Sequence, residues 1–222
     1  MRDSYRDELN ATTELIVTVA GLVRTAVQDA TTALVTADLT IAERVISGDA
    51  RIDELTKEIE QRSFQLLARQ APVAGELRTV VAVLRMSYSL DRMGDLAAHI
   101  AKIARLRYPE VAAPEPVADQ IKQMAETADS MIATAITTLE NRDAEAAAGL
   151  ATADSKMDEL RSDQFHLLLG DDWEYGVEKA VDTALLGRYY ERIADHAVAM
   201  GARTIYIVTG EAPEGENWPS SF

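Results

Sequence analysis

Cysteine is absent from these 222 residues, which excludes disulfides, thiolate metal sites and thiol catalysis and fits a reducing compartment. Basic residues are outnumbered: 22 Lys and Arg against 37 Asp and Glu leave a formal charge of −15. That balance argues against nucleic acid as a partner, because binding a phosphate backbone rests on clustered Lys and Arg. It suits binding of cations, or docking to basic patches on another protein. No apolar run approaches the roughly 18–20 residues of a membrane span. The charged start, MRDSYRDELN, cannot be a secretory signal, so a cytoplasmic location is expected. With three histidines and no glycine-rich phosphate loop, catalysis is poorly supported and the chain is not expected to be an enzyme.

Strand signals are missing too, and the sequence reads as six helices. Tyr5 to Ala37 carries a stripe of Leu9, Ile16, Val19, Val23, Ala26, Ala30 and Ala33, interrupted by Thr12. Asp38 or Thr40 caps a second helix, Thr40 and Glu43 having capping-box spacing. Its stripe is Val45, Ile52, Leu55, Ile59 and Leu66. Pro72 marks the start of a third helix and Pro109 its stop. A fourth runs from about Val117 to Glu140, a fifth from Asp143 to Leu169, and a sixth from near Trp173 to Thr209. Gly170 and Gly210 end the last two.

The halves resemble each other. Asp38, Asp49 and Asp53 recur as Asp143, Asp154 and Asp158, displaced by 105 positions. Asp91 and Asp95 recur as Glu191 and Asp195, displaced by 100, so a turn in the second half is expected to be five residues shorter. Duplication of a three-helix unit is the simplest source of this pattern. The expected fold is all-α: one three-helix bundle over 1–109, a similar one over 110–210, and a loose tail over 211–222. The proline-rich YPEVAAPEP at Tyr108–Pro116 lies at the boundary.

Carboxylates are the candidate chemistry. With 37 acids among 222 residues, about six pairs at i,i+4 arise by chance, so one pair says little. Recurrence in both halves says more. So does register: heptad steps through the sixth helix give Val177, Ala180, Ala184, Gly187, Glu191, Ala194, Val198, Gly201, Ile205 and Val208, all apolar or small except Glu191. The third helix gives Leu77, Val80, Leu84, Ser87, Asp91, Gly94, Ala98 and Ala101, again interrupted by one carboxylate, Asp91. A charge in a helix seam is costly unless paired or bound to a cation. Arg92, Arg192 and Arg188 lie three residues before Asp95, Asp195 and Glu191, but such pairs supply only about 0.2–0.5 kcal/mol. A proton, an arginine or a hard cation would each relieve the crowding. Asp49 and Asp53, with Asp154 and Asp158, flank the stripes of the second and fifth helices. Packed against the third and sixth helices, they would complete four oxygen donors per half.

The paired motifs DRMGDLAAHI at Asp91–Ile100 and ERIADHAVAM at Glu191–Met200, with QAPVAGELR at Gln70–Arg78, resemble the PhoU family of bacterial phosphate-uptake regulators over nearly the whole chain. The resemblance implies two similar three-helix bundles. It implies that Asp49, Asp53, Asp91, Asp95, Asp154, Asp158, Glu191 and Asp195 correspond to acid-x-x-x-Asp metal-binding motifs, for iron, manganese, magnesium or calcium. It further implies restraint of the phosphate-starvation response, by contact with the phosphate transporter's ATPase subunit and a sensor histidine kinase. The membrane would be met only peripherally, through such partners, and a homodimer is compatible with this role.

Two departures from the family pattern stand out. Asp91 stands where glutamate is commoner and Leu96 where histidine often follows, and the shorter acid predicts weaker metal binding in the first half. His99, one turn beyond Asp95, is a further candidate ligand. A diiron carboxylate oxidase needs two Glu-x-x-His motifs; the nearest sequence, Asp163 to His166, occurs once and uses the shorter acid. The competing reading is a metal-free helical adaptor for another transporter or signalling system, whose acids dock onto basic partner surfaces.

Overall fold

The helix punctuation becomes six long helices in the computed structural model, which describes residues 2–69, 72 and 74–212. They are α1 (Arg2–Thr36), α2 (Leu39–Arg69), α3 (Gly75–Arg107), α4 (Glu115–Asn141), α5 (Ala144–Leu169) and α6 (Gly176–Thr209). No strand occurs among the described residues. Of the expected tail, 213–222 lies outside them.

The caps show how the repeat is built. Asp38, not Thr40, starts α2: the Ile41 N–H donates to Asp38 Oδ1 at 3.0 Å. Asp143 starts α5 in the same way, accepting from the Ala146 N–H at 2.9 Å. The residue before each cap is left-handed, Ala37 with φ 51° and Arg142 with φ 52°. The expected Thr40–Glu43 box is not used, and Glu43 instead meets Arg105 at 3.4 Å. Helix α3 begins at Gly75 rather than at Pro72, after Ala74 with φ 47°. Helix α6 begins at Gly176, three residues beyond Trp173, whose Nε1–H turns to donate to the Gly176 carbonyl at 2.9 Å. The five-residue difference between halves falls in a helix rather than a turn: α2 has 31 residues and α5 has 26.

Helices α1, α2 and α3 pack on one another, as do α4, α5 and α6, giving two tandem three-helix bundles. The bundles meet along α3–α6 and α1–α4, whereas α2 and α5 lie outermost, each touching only its own half. One apolar core runs through both halves, with Leu90, Met93 and Ile100 from α3 beside Tyr190, Ile193 and Met200 from α6. From Ile16 onward its α1 stripe is the expected one, except that Ala26 is only partly buried and Val27 is buried beside it, while Leu9 belongs to a separate small cluster with Tyr5, Leu66 and Val80. The joint is also polar. Arg24 donates to both carboxylate oxygens of Asp129 at 2.7 and 2.8 Å, Arg107 pairs with Asp182 and Glu178, and Thr31 and Tyr190 share a hydrogen bond of 2.8 Å.

The seam expected in α6 is its contact line with α5, not its deepest line. A Cβ at Gly201 would lie 2.6 Å from Leu150 Cδ1 and 3.0 Å from the Ala147 carbonyl oxygen. The deepest line is displaced, through Leu186, Tyr190, Ile193, Ala197 and Met200, and Val177 and Val208 at the seam's ends are exposed. In α3 the same line faces α2, where a Cβ at Gly94 would meet Asp49 Oδ1 at 3.0 Å and Ile52 Cγ2 at 3.2 Å. The acids therefore sit between an inner and an outer helix of each half.

Candidate functional site

In the first half, α2 brings Asp49 and Asp53 up to Asp91 and Asp95 of α3, so that Asp49 and the other three repel one another. Gly94 eases the approach, since a Cβ there would press on Asp49 Oδ1 at 3.0 Å. Asp49 Oδ1 is buried and accepts no hydrogen bond. Burial first, and then the neighbouring carboxylates led by Asp95, push the Asp49 carboxyl up to about 6, against a smaller pull from Lys102. Asp91 is raised too, chiefly by burial, although the Thr56 hydroxyl donates to its Oδ1 at 3.2 Å. Asp53 meets Lys57 at 3.7 Å and Asp95 meets Arg92 at 3.0 Å, both in partly exposed pairs.

In the second half, Asp154 and Asp158 of α5 face Glu191 and Asp195 of α6 in the same order. Burial, followed by the neighbouring acids, raises Asp154, led by Asp195. Asp195 is raised by burial first and then by Glu191, against a pull from Arg188. Here the cluster contains a cation of its own. Arg161, with its side chain 11% exposed, reaches Glu191 Oε2 at 3.4 Å. Its guanidinium also donates to Gln164, a fully buried side chain, and lies 4.0 Å over the Phe165 ring. Arg188 adds a second contact to Glu191 at 2.8 Å.

Two of the three expected i,i+3 pairs are therefore formed, Arg92–Asp95 and Arg188–Glu191. Asp95 and Glu191 are turned toward these basic partners. Among the described residues, no three acid or imidazole groups stand together as a group that could hold a metal ion. His99 points elsewhere, stacking on Tyr189 of α6 with ring centroids 5.4 Å apart.

The residues that sequence reasoning missed are Thr56, Gly94, Arg161 and Gln164. Thr56 and Arg161 are the same position of the repeat, 105 apart, and touch the equivalent acids Asp91 and Glu191. Aligning the two halves position by position exposes that exchange of a hydroxyl for a guanidinium. Chemically, the first cluster is a set of crowded oxygens with one buried, unpartnered acceptor, which suits a hard cation. The second is partly neutralised from within.

Comparison with known proteins agrees with the architecture. The PhoU domain family matches residues 16–104 and 121–204. Over 221 residues the chain is 41% identical to the phosphate-specific transport system accessory protein PhoU homolog 1 of Mycobacterium leprae, covering 100% of each. It is 42% identical over 213 residues to PhoU homolog 2 of Mycobacterium tuberculosis, covering 96% of this chain and 100% of the relative. The crystal structure of PhoU from Pseudomonas aeruginosa superposes with a TM-score of 0.88 at 26% identity, covering 93% of this chain and 100% of that one. The phosphate transport system regulatory protein PhoU from Streptococcus pneumoniae gives 0.85 at 26% identity, covering 93% and 98%.

Proposed function

The chain belongs to the PhoU family, and we propose that it regulates phosphate uptake and restrains the phosphate-starvation response. It does so as a cytoplasmic adaptor, meeting the phosphate transporter's ATPase subunit and a sensor histidine kinase. The observation that carries this reading is full-length similarity to a protein named as an accessory of phosphate-specific transport. Such names describe accessory and regulatory proteins, which supports a regulatory rather than a catalytic role. No helix among the described residues is long and apolar enough to cross a membrane, which is consistent with reaching the transporter by docking.

A hard cation belongs to the same reading. Asp49, Asp53, Asp91 and Asp95 would hold it in the first half, and Asp154, Asp158, Glu191 and Asp195 in the second. The buried, unpartnered Asp49 Oδ1 supports this, because leaving an acceptor in that state costs about 1–3 kcal/mol. Once bound, the cation would supply charge neutralisation and a tie between an inner and an outer helix. The turning of the acids toward arginine and lysine favours a second reading, the metal-free adaptor. Metal content of the purified protein separates the two.

The functional test is a starvation-gene reporter in a deletion strain grown in high phosphate. The reporter is expected to switch on, and to fall silent again when the wild-type gene is restored. A reporter that stays silent in the deletion strain, with no second copy of the gene present, contradicts the phosphate reading.

A further inference from the structure

Where the two bundles meet, α3 and α6 enclose a cleft of about 350 Å³ lined by Tyr88, Arg92, Asp95, Leu96 and His99 from one side and Arg188, Tyr189 and Arg192 from the other. Three guanidinium groups thus line one small space in a chain whose net charge is −15. Arg92 and Arg192 are equivalent positions of the repeat, displaced by 100.

The donors are only partly used. Arg92 gives one N–H to Asp95 at 3.0 Å and another to the Tyr88 hydroxyl at 3.4 Å. Arg188 meets Glu191 at 2.8 Å. Among the described residues Arg192 makes neither a hydrogen bond nor an ion pair, and Asp195 feels its charge at longer range. Each guanidinium carries five N–H donors in a flat fork that matches two oxygens of one anion. Asp95 is the one carboxylate among these lining residues, against three guanidiniums, so the lining retains excess positive charge.

We propose that this cleft between α3 and α6 binds a phosphate-class anion, gripped by Arg192 and the free N–H groups of Arg92 and Arg188. A singly charged carboxylate would match one fork, whereas a phosphoryl group offers oxygens to forks from both helices. The volume is in the range of small-molecule sites and exceeds what one inorganic ion fills. The stacked His99 and Tyr189 supply an aromatic wall for a group attached to the phosphate. The cleft shares Asp95 with the first acid cluster, but gripping the anion requires no bound cation.

The test is isothermal titration, at low ionic strength, of metal-stripped protein dialysed free of chelator. Inorganic phosphate and adenosine 5′-monophosphate are the two probes. Saturable binding of one anion per chain is expected. Arg192→Gln, an exposed position whose fold is checked by a thermal melt, weakens it at least tenfold. Asp95→Asn, which removes the competing carboxylate, strengthens it. Tighter binding of the nucleotide assigns the cleft to a phosphate carried on a ring; equal or tighter binding of inorganic phosphate assigns it to the free ion. No saturable binding of either probe at millimolar concentration overturns the proposal. So does Arg192→Gln binding as wild type, or sodium chloride of matched ionic strength giving the same heats.

Discussion

Arg161 and Glu191 form an ion pair between α5 and α6, Nε to Oε2 at 3.4 Å, where the first half joins Thr56 to Asp91 by a hydrogen bond of 3.2 Å. The second cluster thus carries a largely buried positive charge that an incoming cation must oppose, whereas the cations of the first, Lys57 and Arg92, are exposed. This reverses the ranking suggested by the shorter reach of Asp91, and divalent cations are expected to bind the first half more tightly. In an Asp53→Asn background, Arg161→Thr should tighten Mn²⁺ binding at the second cluster about tenfold, equivalent to roughly 1.4 kcal/mol. Calorimetric titration measures it, and unchanged affinity removes Arg161 from the account.

Glu191→Gln should destabilise the protein even without metal. Seam position alone suggests relief on losing a crowded acid, but Glu191 also neutralises the largely buried Arg161 and contacts Arg188. Leaving that guanidinium without its partner costs about 1–3 kcal/mol. Chemical denaturation in chelator gives the value, and a variant as stable as wild type means the pair contributes nothing.

Stability without metal should fall as pH rises from about 4 to about 6. Burial and neighbouring acids lift Asp49 from 3.8 to about 6 in the folded chain. An acid raised on folding holds its proton more tightly in the folded form. Its protonation therefore favours folding, and that contribution is lost as pH climbs through this window. Asp91, Asp154 and Asp195 are raised in the same direction. Melts in chelator from pH 4 to pH 7 test the slope, which Asp49→Asn should reduce; a slope unaltered by that change assigns it to other groups.

Glycines on the two faces of α5 and α6 should respond oppositely to alanine. At Gly201 the new Cβ would meet Leu150 and the Ala147 backbone, an overpacking that costs about 1–3 kcal/mol. At Gly149 nothing lies within 4 Å, and alanine should stabilise the helix by about 0.5–1 kcal/mol. Thermal melts of the two variants should shift in opposite directions; shifts of the same sign contradict the packing of α6 on α5.

Most of this fold was legible in the sequence because its controls are local. The stripe of α2, Val45 to Leu66, is buried as its spacing predicts, and Asp38 and Asp143 are capping residues that act within one turn. Helix rotation was less legible. Straight helices drift about 20° per heptad, so stepping by sevens through α6 followed its α5-facing flank instead of the line through Tyr190. The acids were found by their recurrence, but what faces them depends on how helices pack. Nothing in the local sequence marks Arg161, whose partner Glu191 lies on α6. The guanidiniums of the α3–α6 cleft come from positions about a hundred residues apart, which only the docking of the two halves brings together.

The central claim is that a cation is held between α2 and α3, by acids from both helices. The most direct measurement is elemental analysis of purified protein stripped of metal, equilibrated with Mn²⁺ and freed of excess, for wild type, Asp53→Asn and Asp95→Asn. Asp53 lies on α2 and Asp95 on α3, and both belong to the first cluster. Each change should remove the first half's metal while leaving the second half's share. Stoichiometry untouched by Asp53→Asn but abolished by Asp95→Asn, or no bound metal in the wild type, would contradict it.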